Sequence, residues 1–286
     1  MALVPPQRPS VGLQAKAPAS KQLASRGWPV ACDDGKVAVR AALPMTYSIA
    51  DHPPADPLDD GKSYLRLIDS MGNSLSVVND ARQSFDKETE VWSEKEAKLL
   101  YYLIQNHHTS PLRGVVFKWK VKAPLFIARQ WYKHTIASTY VDDQLGWNEK
   151  SFRYCSVDDK AEFYIPKNFR SQSQNNRQAS GEPLLSKDQA LALSLYSKGI
   201  EEGRQAYDGL LAMGVSKEQA RGVMPPCLYT SFVWTCSLQT LLHFIDLRIG
   251  EGAQGEISAY AHSLYHLAFP IAPEVFTASK DTRFSL

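Results

Sequence analysis

Six consecutive residues, Phe117 to Lys122, alternate without a break as FKWKVK. In an extended chain Phe117, Trp119 and Val121 face one side, and Lys118, Lys120 and Lys122 face the other. Period two with charge at every second position specifies a strand with one dry face and one wet face. Pro124 ends it. Leu125 to His134 then reads as a helix, with Gln130, Lys133 and His134 at i, i+3 and i+4 on one face. After a loop, Asn148, Glu149, Ser151 and Arg153 arrive together. The stretch Pro111 to Tyr154 thus gathers cations, an imidazole, a carboxylate, a hydroxyl and amides. Such a set suits an anionic, hydrogen-bonding ligand, above all a phosphorylated one. The competing reading is a solvated helix face with a structural histidine.

The 286 residues admit one large domain or two small ones. A hydrophobic fraction of 44% and a charged fraction of 22% belong to an ordinary soluble globular chain. A net charge of +2 sets up no field toward nucleic acid or an anionic membrane. No apolar run approaches the roughly 18 residues that a membrane span needs. Cys32, Cys155, Cys227 and Cys236 form no C-x-x-C pair. Neither a zinc site nor a disulfide framework is expected, and a reducing cytoplasm fits.

Residues 1–60 stand apart. They hold nine of the seventeen prolines, and Arg8, Lys16, Lys21 and Arg26 precede the first acid, Asp33. With no apolar h-region and no amphipathic arginine-rich helix, a targeting peptide is the weaker reading. A poorly ordered or surface-wrapping extension is expected instead.

The globular part begins near Tyr64. Tyr64 to Ile68 reads as a strand, Met71-Gly72-Asn73 as a turn, and Ser76 to Phe85 as a short helix. Ser93 and Glu96 form a capping-box pattern for a helix to about Asn106. Ser171 to Ser180 is polar and reads as an exposed loop. Ser186 and Gln189 open another capping box, for a helix to about Met213 stopped by Gly214. On it Leu193, Tyr196, Ile200, Tyr207 and Leu211 lie near one face, as core packing. Ser216 and Gln219 cap a short helix that carries Arg221 and ends at Pro225. A last amphipathic helix, about Gln254 to Ala268, is expected to close the fold.

Ser237 to Arg248, SLQTLLHFIDLR, has helical period. Leu241, Phe244, Ile245 and Arg248 share one face. Burying an arginine on an apolar stripe is costly unless an anionic or strongly accepting group meets it. The alternative has Arg248 snorkelling to water at the helix end before Gly250, where it complements the helix dipole.

Seven blocks, in order, resemble the flavin-dependent thymidylate synthases over about Tyr64 to Ser279. They are ARQSFD at 81–86, KAPLFIARQWYKH at 122–134, NEKSFRY at 148–154, AEFYIP at 161–166, QARGVMP at 219–225, LYTSFVWT at 228–235 and HFIDLRIGEGAQGEI at 243–257. The family's hallmark is Arg-His-Arg, seven residues, then Ser. Here Lys133-His134-Thr135 fills the triplet and fifteen residues precede Ser151, with the extra ones placed at about Thr139 to Gly146. Lys133 keeps a charge without the guanidinium fork, and Thr135 has none. The Asn-Ala-Arg that helps hold the flavin appears as Ser237-Leu238-Gln239, its following Asn as His243, and the substrate-motif glycine as Phe152.

The resemblance implies an α/β fold, a central mixed sheet flanked by helices, assembled as a homotetramer. It implies reductive methylation of dUMP to dTMP, with methylenetetrahydrofolate as one-carbon donor and reduced FAD, regenerated by NADPH, as reductant. Residues 61–286 would be the catalytic domain. Gln130, Lys133, Ser151, Phe152, Arg153 and Arg221 would surround dUMP. Arg248 would be the catalytic group at the pyrimidine. Ser84, Ser110, Lys133, His134, Thr135, Glu149, Ser237, Gln239 and His243 would contact the flavin, with His108 near flavin and folate. No metal is implied. Two other readings stay open. One is a flavin- and folate-dependent methylase or hydroxymethylase of another pyrimidine nucleotide such as dCMP, suggested by Gln239 and Phe152. The other is a non-catalytic nucleotide-binding relative. A cysteine nucleophile is the rival chemistry, and Cys155 and Cys227 read instead as small buried residues.

Overall fold

The computed structural model describes the backbone of Trp28–Ala31 and Val37–Arg40, and residues 53–135, 146–158, 160–176, 179–250 and 252–283. Met1–Thr46 and Tyr47–Leu286 are separate compact units. In the first, β1 (Trp28–Ala31) pairs antiparallel with β2 (Val37–Arg40), Trp28 opposite Arg40. The remainder of the expected extension, up to residue 52, lies outside the described residues. Residues 55–60 belong to the folded body rather than to the extension. Ala55 and Leu65 exchange backbone hydrogen bonds of 2.8 and 2.9 Å, and the Tyr229 hydroxyl donates to Asp60 at 2.6 Å.

The second unit contains β3 (Tyr64–Met71), β4 (Val116–Pro124), β5 (Trp147–Glu149), a small hairpin of β6 (Arg170–Gln172) and β7 (Ser180–Pro183), and β8 (Tyr229–Ser237). The central sheet has the order β3-β4-β8-β5, and every described pairing is antiparallel. The expected mixed sheet is thereby corrected. The reason lies in the FKWKVK alternation itself. Parallel strands are buried on both faces, whereas an antiparallel sheet can leave one face to water. Phe117, Trp119 and Val121 are fully buried, Lys118 and Lys120 are exposed, and Lys122 is half-buried in an ion pair with Glu162. β4 and β8 pair along their full length, from Val116 opposite Ser237 to Pro124 opposite Tyr229.

The helices are α1 (Ser74–Arg82), α2 (Glu94–Gln105), α3 (Leu125–Trp131), α4 (Ser186–Ala212), α5 (Lys217–Ala220), α6 (Leu238–Ile249), α7 (Gly255–Ala268) and α8 (Pro273–Arg283). The main core lies on the dry face of the sheet, with Leu65, Leu67, Phe232 and Trp234 against residues of α3, α6, α7 and α8. Its hub is Trp131, whose ring centroid lies 4.6–5.6 Å from those of Phe232, Trp234, Phe244 and Tyr260. A second cluster joins Phe152, Val157, Phe163, Tyr164, Tyr207 and Leu228.

Several local readings change. α1 starts at Ser74 rather than Ser76, capped by Asn73, which closes a capping box with Ser76. Ser93 caps α2 through Lys95 N–H. Glu96 is buried, accepts from the Ser93 hydroxyl and meets Arg82 at 2.6 Å, so it pairs with the capping residue's side chain while tying α2 to α1. Ser186 does not cap α4, and Gln189 donates to and accepts from the Phe169 backbone. Leu193 is exposed, along with Leu185, Leu191 and Leu195, so the stripe on α4 is core only from Tyr196 onward. The polar loop at 171–180 includes part of the β6/β7 hairpin. α8, unforeseen, follows α7 and packs on α2, with Val275 and Phe276 fully buried. No described helix is long and apolar enough to cross a membrane.

Candidate active site

α3 stops three residues short of the expected end. Tyr132 caps it, and His134 N–H donates to the Trp131 carbonyl at 2.9 Å. This turn separates residues that a continuous helix would align. Lys133 and Thr135 are exposed, while His134 turns inward and is only 7% exposed. Its ring lies 4.7 Å from Phe244 and 5.9 Å from His243 on α6.

The last turn of α6 sends Arg248 to the same place. Arg248 Nε donates to His134 Nε2 at 3.1 Å. Arg248 is half-buried, and desolvation lowers its proton affinity, yet a guanidinium stays charged at any working pH. Burial first, then the positive charge of Arg248 and the neighbouring His243, bring His134 down to about 4. The imidazole is therefore neutral near pH 7 and acts as an acceptor. One edge of the guanidinium is fixed, and its charge is not cancelled.

A pH dependence follows. The folded His134 titrates near 4, below its ordinary value of 6.5. Between the two, the unfolded chain binds a proton that the folded chain does not, so stability rises with pH across that window. The contribution is complete above the unfolded value and is lost as pH falls toward 4; it amounts to no more than about 3 kcal/mol. Urea unfolding from pH 4 to 7 should show a steeper acid loss for wild type than for His134→Gln. Parallel profiles would count against a buried neutral imidazole.

Gln130 Nε2 donates to Gln254 Oε1 at 2.6 Å, joining α3 to the residue that caps α7. Glu149, on β5, accepts from Thr230 Oγ1 at 2.7 Å and from Trp147 Nε1 at 3.0 Å. Beyond β5 the chain turns at Ser151, whose carbonyl accepts from Tyr154 and Cys155 N–H. Arg153 sits beside the Ser151 hydroxyl, Nε to Oγ 3.5 Å. Lys217 Nζ reaches the Tyr154 carbonyl at 3.4 Å, bringing α5 against this turn, and Arg221 follows at the end of α5, exposed. Ser151 and Arg153 lie together on this turn, and Arg221, whose Nε donates to the Glu218 carbonyl at 3.3 Å, ends the helix that Lys217 ties to it. The Phe152 ring is buried in the second core cluster, under the Lys150 ammonium at 5.1 Å, so its side chain faces the interior.

A third group surrounds a cavity of about 310 Å³ lined by Asp80, Ala81, Ser84, Leu103, His108, Ser110 and Pro111. Two hydroxyls, an imidazole and a carboxylate, set among Ala81, Leu103 and Pro111, suit a ligand that both packs and hydrogen-bonds. Asp80 presses on Gly114 so closely that a Cβ there would meet its Oδ2 at 2.0 Å. Burial raises the pKa of that carboxylate. Its wall favours hydrogen-bond donors over phosphate. Ser237 caps α6 by accepting from Thr240 N–H, and Gln239, one turn before His243, accepts from Arg113 Nε at 2.9 Å. Arg113, missed in the sequence, ends the short turn begun by Ser110. The inserted loop at 139–146 lies outside the described residues except for Gly146.

The α/β body with its antiparallel sheet carries a guanidinium–imidazole pair, exposed arginines at 153 and 221 and a hydroxyl-lined cavity, a set that suits an enzyme with an anionic, hydrogen-bonding ligand. Residues 66–274 match the family model described as thymidylate synthase complementing protein. The flavin-dependent thymidylate synthase of Thermus thermophilus is 41% identical over 220 residues, 77% of this chain and 76% of its own. That of Thermosipho africanus is 37% identical over 234 residues, 82% of this chain and 93% of its own. Among solved structures, the UMP/dUMP methylase PolB from Streptomyces cacaoi, bound with 5-Br dUMP, aligns with a TM-score of 0.66 at 26% identity. It covers 78% of this chain and 97% of its own. The chain belongs to the flavin-dependent thymidylate synthase family.

Proposed function

We propose that the protein methylates dUMP to dTMP, taking the one-carbon unit from methylenetetrahydrofolate. FAD, when bound and reduced, supplies the reducing equivalents, and NADPH restores it. The observation that carries this reading is the Arg248–His134 pair, a half-buried guanidinium held by a neutral acceptor. Carbon 5 of uracil is a poor nucleophile, so negative charge has to build on the ring. A guanidinium out of water, beside nitrogen 3 and the ring oxygens, stabilises that charge where it develops. Arg153 and Arg221 take the phosphate and sugar, with the Ser151 hydroxyl, Lys133 and Gln130 completing that side. Ser84, His108 and Ser110, with Thr135, His134, Glu149, Ser237, Gln239 and His243, make the flavin side. Arg248 favours uracil over cytosine, since cytosine has no proton on nitrogen 3 to lose.

The catalytic body runs from the Ala55–Leu65 pairing onward and works as a cytoplasmic homotetramer. The exposed leucines of α4 support assembly, because Leu185, Leu191 and Leu195 leave an apolar strip on a surface helix. A nucleophilic thiol is not part of this mechanism. Burial pushes the Cys227 thiol up, the opposite of activation, and Cys155 is exposed. Cys155→Ser should retain turnover within about twofold, since the side chain is exposed and only sulfur is exchanged for oxygen while the Cys155 N–H to Ser151 bond stays; a dead enzyme would restore the thiol to consideration. Mass spectrometry of products from dUMP, UMP and dCMP, with methylenetetrahydrofolate, FAD and NADPH, tests the whole reading. Thymidylate from dUMP is the expected result, and product from dCMP alone would replace it.

A further inference from the structure

FAD carries negative charge on both phosphates of its pyrophosphate. The flavin-side residues of the proposed function supply little to meet it. Ser84, Ser110, Thr135, Ser237 and Gln239 are neutral, His134 is held neutral, His108 and His243 bring imidazoles and no guanidinium fork, and Glu149 is an acid. Lys133 alone is a fixed cation, and it also serves the nucleotide side. Pyrophosphate binding normally takes more than one charge-assisted donor.

Arg113 is an unassigned cation bonded directly to this set. It ends the turn Ser110–Arg113, whose first residue lines the cavity with Ser84 and His108. Its Nε donates to Gln239 Oε1 at 2.9 Å, bridging the turn to the first turn of α6. That bond uses one edge of the guanidinium. Its two terminal nitrogens make no hydrogen bond among the described residues, and it forms no ion pair with Asp80 or any other described carboxylate. A solvated arginine on a surface needs no such anchor; this one is oriented, charged and unneutralised beside the flavin-side residues. Gln239 is also where the family resemblance calls for an arginine. The hydrogen bond therefore links the position that lost a guanidinium to one that has it.

We propose that Arg113 supplies the guanidinium for the FAD pyrophosphate, held edge-on by Gln239, so that the charge has moved from α6 to the facing turn. The inference rests on the reading that this protein binds FAD. Fluorescence titrations of the full chain with FAD and with riboflavin, which lacks phosphate, test it. Arg113→Ala should weaken FAD roughly 10- to 100-fold, the size of a lost charge-assisted contact, and leave riboflavin within about twofold. Adding Gln239→Arg to that variant should recover most of the FAD affinity. FAD binding by Arg113→Ala alone should also depend less on salt than wild type's. Equal FAD affinity with and without Arg113, or equal losses for FAD and riboflavin, would overturn the inference alone. A wild-type chain that binds neither flavin would overturn the functional reading and this inference with it.

Discussion

Arg248→Ala should fold, keep its flavin affinity, and lose turnover by roughly 10²- to 10³-fold, the cost of removing one preorganised donor from developing charge. The substitution removes a half-buried cation at the end of α6, where the helix is already anchored by Phe244 and Ile245, both fully buried. Stability should change little, because no carboxylate is left unpaired; the partner is the neutral ring of His134. The loss should fall in kcat, with KM for dUMP changing less, because the interaction strengthens only as the ring becomes anionic. Arg248→Lys should recover only part of the rate. A lysine cannot donate to His134 along one edge and to a planar ring along another. Steady-state kinetics with a thermal melt as control decide it. Near wild-type thymidylate formation by Arg248→Ala would remove the electrostatic mechanism.

The second large effect is on the fold. Trp131→Ala should destabilise the protein by about 3–5 kcal/mol, the range for truncating a fully buried aromatic. Trp131 has no exposed surface and touches four aromatic rings drawn from β8, α6 and α7. In a chain of this size that corresponds to a melting temperature lower by about 10 °C. The site would suffer as well, because the turn that seats His134 hangs from the Trp131 carbonyl. Trp131→Phe should cost much less. It leaves a smaller void and deletes an indole N–H that has no acceptor among the described residues. Melting curves of the two variants separate these outcomes. A shift below about 2 °C for Trp131→Ala would show that the ring is not the hub of this core, since even 1 kcal/mol moves the midpoint that far.

Much of the framework was legible because it depends on local period. The FKWKVK alternation gave β4 with its wet lysine face, and the stripe of Leu241, Phe244 and Ile245 gave α6. Capping patterns were a weaker guide. Ser93 does cap α2 and its hydroxyl meets Glu96, yet Glu96 is also drawn to Arg82 and Gln189 to Phe169, because a distant partner competes with the nearby backbone. α8 was missed: its polar sequence hides how deeply Val275 and Phe276 are buried against the rest of the fold.

The sequence by itself determined which strand has a dry side, which helices have an apolar stripe, and that an arginine stands on one of those stripes. These are consequences of dihedral geometry, and they act over a few residues. Tertiary structure decided what that arginine meets. The partner of Arg248 lies 114 positions away and Arg113 finds Gln239 across 126, distances over which no period carries information. Only the antiparallel pairing of β4 with β8 brings α3 and α6 alongside each other, and only the early end of α3 turns His134 inward. Its low proton affinity then follows from burial and neighbouring charge, quantities that exist only once the chain has folded.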